Sequence, residues 1–289
     1  MPAASSAKRM ATMVVGRCAI AEPMSRPDLL PSYPFIITTK ETTVNAIFPA
    51  RTVAPDFRLV ETLPLGTGPL VPALGAARDR LCGELVARGV TPVLCESWAN
   101  LEALNARHCE SWFPLLPKPS SASSFWLGLV DGEGEVVATH AVVLVDCTAS
   151  SFGARLADLS ALYDPGSAPA DEWAFVASEA ANDTRGSVAW IVAGWTRPDW
   201  RGAGLFHRLG ALVRLVALAR WNPKWVVGLV DPETVPVWSG RGGGRRRLEE
   251  RPGILYHQNG IGRLPLHFMR WSRSAVALDL EIIPHMSTV

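Results

Sequence analysis

The stretch that most restricts the fold is SVAWIVAGWTRPDWRGAGLFHRLGALVRLVALARWNPKWVVGLV, residues 187–230. Ser187–Thr196 is rich in Val, Ile and Trp and reads as a buried strand, and Pro198-Asp199-Trp200 turns the chain. From Leu205, the residues Leu209, Leu212, Val213, Val216 and Ala217 keep helical spacing, which predicts a helix to about Arg220. His207 and Arg214, seven apart, fall together on another face of that helix. Asn222-Pro223 ends it, and Lys224–Val230 reads as a second buried strand. Strand, turn, helix and strand in this order suit one right-handed crossover within one sheet.

The flanking segments supply more elements. Leu74, Ala77, Leu81 and Leu85 predict a helix over 74–90 with Gly89 at its C-terminal cap. Ser97 is placed to cap a second helix in which Leu101, Leu104, His108 and Trp112 share a face and Pro114 stops the run. Phe125–Val130 and Glu135–Asp146 read as strands joined by the turn Asp131-Gly132-Glu133-Gly134. In residues 147–186, ARLADLSALY and EWAFVASEAA each suit a short helix, and the segment has the character of an insertion. GILYH and LPLHFMRW are later strand candidates, whereas residues 1–55 keep no period and are read as an extension.

The 28 Lys plus Arg balance 27 Asp plus Glu for a formal charge of +1, so no global field draws the chain to nucleic acid or to a membrane. An anion site must therefore be local. Cys18, Cys82, Cys95, Cys109 and Cys147 are scattered and odd in number, which predicts neither a disulfide framework nor a zinc site. A reducing cytoplasm fits them, and no metal is assigned. The segment MATMVVGRCAIAEP has a signal-like outline, but Arg17 breaks its short apolar run.

The order Arg201-Gly202-Ala203-Gly204 between strand and helix has a chemical use. The first N–H groups of a helix lack intrahelical partners, and the helix dipole puts partial positive charge there. Gly202 and Gly204 remove Cβ atoms that would hold a pyrophosphate off the backbone, and Arg201 can add a charged hydrogen bond. The residues form neither a Gly-Lys-Ser/Thr P-loop nor a G-x-G-x-x-G dinucleotide turn. WTRPDWRGAGLF, followed by a helix and a buried strand, resembles motif A of the GNAT acetyltransferases, written Gln/Arg-x-x-Gly-x-Gly/Ala. Arg201 and Gly204 stand at its Arg and first Gly, while Phe206 departs from its last small residue.

The resemblance implies an α/β fold of the GNAT-like acyl-CoA N-acyltransferase kind, a mixed and mostly antiparallel sheet flanked by helices. It implies one such domain over 56–289. It also implies that Arg201, Gly202, Ala203, Gly204, Leu205 and Phe206 hold the pyrophosphate of acetyl-CoA, and that Trp195, Thr196 and Arg197 run beside its pantetheine arm. The acetyl group would pass to an amine on a small molecule or a protein. The tyrosine that family members often carry after the second strand is missing, for Trp238 and Ser239 stand near that place.

Tyr256 is the only downstream tyrosine and the candidate acid, and Glu172, Glu179 and Asp183 are candidate bases among which nothing selects. The predicted pair is Tyr256 with Glu179. His257 and His267 are further possibilities, although a strand histidine is more often structural. Two other readings stay open: a GNAT-shaped module that holds CoA without turnover, and RNA binding through GRGGGRRR, residues 240–247, which Glu249 and Glu250 would partly neutralise.

Overall fold

A computed structural model of the chain describes residues 56–239 and 247–282, all within one unit that spans Ala50–Val289. The 1–55 extension and most of the GRGGGRRR run lie outside the described residues. Because adjacent apolar residues of one strand point to opposite faces, a chain with several wholly apolar strands must cover both faces of its sheet. The structure does so. Nine strands form the order β1-β2-β3-β4-β6-β7-β9-β8-β5, comprising β1 (Arg58–Leu59), β2 (Thr91–Cys95), β3 (Ser124–Val130), β4 (Val136–Cys147), β5 (Trp173–Val176), β6 (Gly186–Thr196), β7 (Trp225–Val230), β8 (Ile254–Gln258) and β9 (Gly262–Ser272).

One face carries Ala189, Ile191, Met269 and Trp271 and is covered by α1 (Val71–Val86), α5 (Leu205–Trp221) and the final helix Arg273–Asp279. The other carries Trp190, Val227 and Phe268 under α2 (Trp98–Arg107), α3 (Phe152–Ala157) and α4 (Glu179–Asp183). The fold is thus mixed α/β, mostly antiparallel and flanked by helices, as expected.

Local signals explain most boundaries. Ser97 caps α2 by accepting from the Asn100 N–H at 3.2 Å, as its position foretells. The helix stops at Arg107, short of the anticipated Pro114, because His108 and Trp112 leave it to pack on Trp195. The hairpin β3–β4 and the unit β6–α5–β7 lie where periodicity places them.

Residues 147–186 require a correction. The first proposed helix is helical only over Ala154–Ala157, α3 starting two residues earlier at Phe152, and Leu159 ends that turn with φ +62°. EWAFVASEAA is a strand followed by one helical turn: Trp173–Val176 pairs antiparallel with β8, and Ser178 caps α4. Hydrogen bonds from β8 supply what a run of four residues lacks alone, so tertiary pairing overrides the local pattern. β2 also escapes periodicity, since Thr91–Cys95 is nearly all buried and too short to show alternation.

Two irregularities set up the functional end of the sheet. β6 and β7 are the parallel pair, and their pairing runs only from Val188↔Trp225 to Ile191↔Gly228. Beyond it the two strands part. On its other side β6 bulges, for the register against β4 shifts between Thr139 and Ala141. Ala193 takes φ +55° there, and its carbonyl accepts from Thr139 Oγ1 at 2.9 Å. Gly194 follows. A Cβ on it would meet His140 and Phe206 at 3.1 Å, so a larger residue would push the strand from the turn after it.

Candidate active site

The turn after β6 is built from its own sequence. Pro198–Trp200 forms a 3₁₀ turn, and the Arg197 N–H donates to Val137 O at 2.8 Å, anchoring the turn to β4. Gly202 at φ +86° and Gly204 at φ +71° take the left-handed conformation that a side chain disfavours. Gly204 is the N-cap of α5, and no side chain caps that helix. The 17-residue helix therefore presents its positive end at a side-chain-free turn.

Arg197 is neutralised by Asp199 at 2.8 Å and reaches Asp131 at 3.4 Å. Those partners hold its guanidinium above its usual pKa, the Asp199 hydrogen bond being the main cause. It braces the turn and carries little unpaired charge. Arg201 is exposed, donating to Thr196 O at 3.2 Å and to Ser111 O at 3.3 Å. Both contacts are to neutral carbonyls, so its charge remains available to an anion. Trp195 is buried between His108 and Trp112, with its indole N–H on Ser111 Oγ at 3.3 Å, and the Thr196 hydroxyl is buried without a partner among the described residues. Leu205 points into the core.

Where β6 and β7 part, a cleft of about 200 Å³ opens between their ends. Ile191 to Gly194 form one wall, Gly228 to Asp231 the other, and Phe206 with Trp238 brings α5 and α6 (Val235–Ser239) to its rim. The glycine turn and the cleft share Phe206. Its ring leans on Gly194, lies 4.5 Å from the ring of His140 and meets Trp238 edge-on at 5.0 Å. The departure from the motif's small residue thus fills a gap between strand and helix.

Periodicity did not single out His140, which sits opposite the bulge within a mostly apolar strand. Its ring is fully buried, and neither nitrogen completes a hydrogen bond with a described residue. Burial, and then the nearby Arg214, push its pKa down to about 3, so it is neutral at physiological pH. Asp231 ends β7 and also lines the cleft. A roomier hollow of about 470 Å³ lies by Trp225 at the start of β7 and by Ser272 at the end of β9. Its Arg270 is already engaged by Ala180 O at 3.0 Å and stacked over Trp225.

The predicted catalytic pair is not brought to this cleft. Tyr256 is buried on β8, three strands from β6, or about 14 Å at ordinary strand spacing. Its hydroxyl donates to Glu172 Oε2, which also accepts from Tyr163 at 2.6 Å, while Glu172 Oε1 accepts from the Asn259 N–H at 3.0 Å. Burial and the neighbouring carboxylate raise the Tyr256 pKa far beyond the ordinary phenol value. Burial works against the charge on Glu172, but the three hydrogen bonds outweigh it and keep the carboxyl below its usual range.

Tyr256→Phe removes one hydrogen bond to a buried carboxylate. It is expected to cost about 1.5–3 kcal/mol of stability and to leave any turnover nearly intact, as urea unfolding beside steady-state rates would show. Glu179 and Asp183 are exposed at the two ends of α4. His257 stacks on Trp173, and His267 Nδ1 lies 2.9 Å from Glu249 O.

No group of His, Cys, Asp and Glu among the described residues could hold a metal, and no helix among them is long and apolar enough to cross a membrane. No protein-family model and no curated protein matches the chain. Solved structures that match include a spermidine N-acetyltransferase chimera of SpeG from Vibrio cholerae and hSSAT, at 11% identity over 63% of this chain and 82% of that one, with a TM-score of 0.33. A GNAT-family acetyltransferase from Bacillus anthracis matches at 10% identity over 52% and 66%, with a TM-score of 0.29. FeeM, an N-acyl amino acid synthase from uncultured soil microbes, matches at 17% over 71% and 87%, with a TM-score of 0.32.

Proposed function

We propose that the protein is a GNAT-type N-acyltransferase that moves an acetyl group from acetyl-CoA to an amine. One observation carries this reading: the side-chain-free turn at the start of α5 opens beside the cleft where β6 and β7 part. A phosphate-binding turn and a slot between strands thus meet at Phe206. Arg201 and the backbone from Gly202 to Phe206 would bind the pyrophosphate, as the motif resemblance implies. The unpaired edges of β6 and β7 would offer N–H and C=O groups to an amide-bearing arm, and Trp195 to Arg197 continue that edge.

The chemistry is a displacement. The amine nitrogen forms a bond to the thioester carbonyl carbon, the C–S bond breaks, the nitrogen loses a proton and the thiolate gains one. His140 is too weak a base to take that proton, since its conjugate acid has a pKa of about 3. Trp238 has no hydroxyl to give one. Neither residue moves these protons, which leaves water and the Asp231 carboxylate that lines the cleft.

The test is calorimetry of acetyl-CoA with the full chain, joined to a free-thiol assay over a panel of amines. Saturable binding and amine-dependent thiol release are expected, and the absence of CoA binding would refute the reading. A second reading, a module that binds CoA without turnover, is favoured by Trp238 at the expected tyrosine position and by the engagement of Tyr256 with Glu172. Binding without amine-dependent release would establish it.

A further inference from the structure

We infer that the acceptor is a singly charged amine with an apolar body, and that Asp231 Oδ2 is the anchor for its ammonium. This rests on the acyl-transfer reading and names the acceptor class for it. Asp231 stands where β7 ends, and its two carboxylate oxygens are not equivalent. Oδ1 accepts from the Glu233 N–H at 2.8 Å and caps the 3₁₀ turn Pro232–Thr234, whose Thr234 N–H returns to Asp231 O at 2.9 Å. Oδ2 accepts no hydrogen bond from a described residue. The cap fixes the side chain, and the second oxygen is left for another donor.

The rest of the cleft determines what that donor can be attached to. Among the described residues that line it, Asp231 is the one charged side chain, because His140 is neutral. Leu229, Val230, Leu116 and Trp238 line the cleft with it, and Phe113 lies there with 63% of its surface exposed. An ammonium beside Asp231 gains an opposite charge, and an apolar body gains the walls. A polyamine brings further positive charges for which the described lining of the cleft has no second carboxylate, which weakens its binding. Glu233 is exposed and does not line the cleft.

The experiment compares phenethylamine with spermidine as acceptors, using acetyl-CoA and thiol release, and measures binding of each amine by calorimetry with CoA present. Phenethylamine is expected to be favoured by at least about 10-fold in kcat/KM, and Asp231→Asn to raise its KM by about 10- to 100-fold, the worth of one charged hydrogen bond. Asparagine caps as well as aspartate, so this variant keeps the 3₁₀ turn and removes the charge alone. Its KM for acetyl-CoA should stay unchanged.

Spermidine turned over as well as phenethylamine, or an Asp231→Asn KM equal to wild type, would overturn the inference. If CoA binds and no amine is acetylated, the transfer reading fails separately. Calorimetry then decides: phenethylamine binding lost in Asp231→Asn supports the anchor, and no phenethylamine binding to wild type overturns it.

Discussion

Gly204→Glu is expected to lower the affinity for acetyl-CoA by about 100-fold or more, equivalent to at least ~2.7 kcal/mol, when calorimetry compares it with the wild type. Two causes add. Gly204 holds φ +71° at the N-cap of α5, where any side chain costs about 1–2 kcal/mol of backbone strain. The new carboxylate also stands at the positive end of the helix, where it would repel and displace a pyrophosphate. Gly204→Ala separates them, because alanine meets the strain without the charge and should keep most of the affinity. Equal binding by wild type and Gly204→Glu would place the phosphate site elsewhere.

His140→Phe is expected to flatten the acid side of the stability profile. In the folded chain burial holds the His140 pKa at about 3, while an unfolded histidine titrates near 6.5. Above about pH 6.5 the ring is neutral in both states, and its burial carries no pH term. Between about 6.5 and 3 the unfolded chain binds a proton that the folded chain cannot, so stability falls by about 1.4 kcal/mol per pH unit. From pH 7.5 to pH 5 this one ring should therefore remove about 2 kcal/mol.

Phenylalanine has no such term and fits among Phe206 and Trp238 with a steric offset that is the same at both pH values. Urea unfolding of both proteins at the two pH values measures the difference. Identical pH slopes would mean that His140 protonates without leaving its place.

Where local patterns are long, sequence and structure agree. The β6–α5–β7 unit, the β3–β4 hairpin and the Ser97 cap follow from hydrophobic period, turn residues and capping chemistry, all of which act over a few residues. The positive φ of Gly202 and Gly204 belongs with these, since glycines before a helix mark where the backbone is to be bare. The strand Trp173–Val176 does not, because its hydrogen bonds come from β8, about eighty residues away.

The cleft divides in the same way. Arg201 and the glycine turn announce themselves, for they are consecutive residues between a strand and a helix. His140 and Asp231 do not: one is a polar residue inside a mostly apolar strand, the other reads as an ordinary cap before Pro232. Only the bulge at Ala193 and the parting of β6 from β7 bring them to one cavity. The same packing takes Tyr256 to Glu172 and out of the cleft.

The amino-acid sequence by itself determined the mixed α/β class, the crossover unit and the glycine turn that starts α5, because each is written in neighbouring residues. Tertiary structure alone decided which side chains line the cleft, the neutral state of His140 and the open oxygen of Asp231, because burial and pairing join residues far apart in the chain.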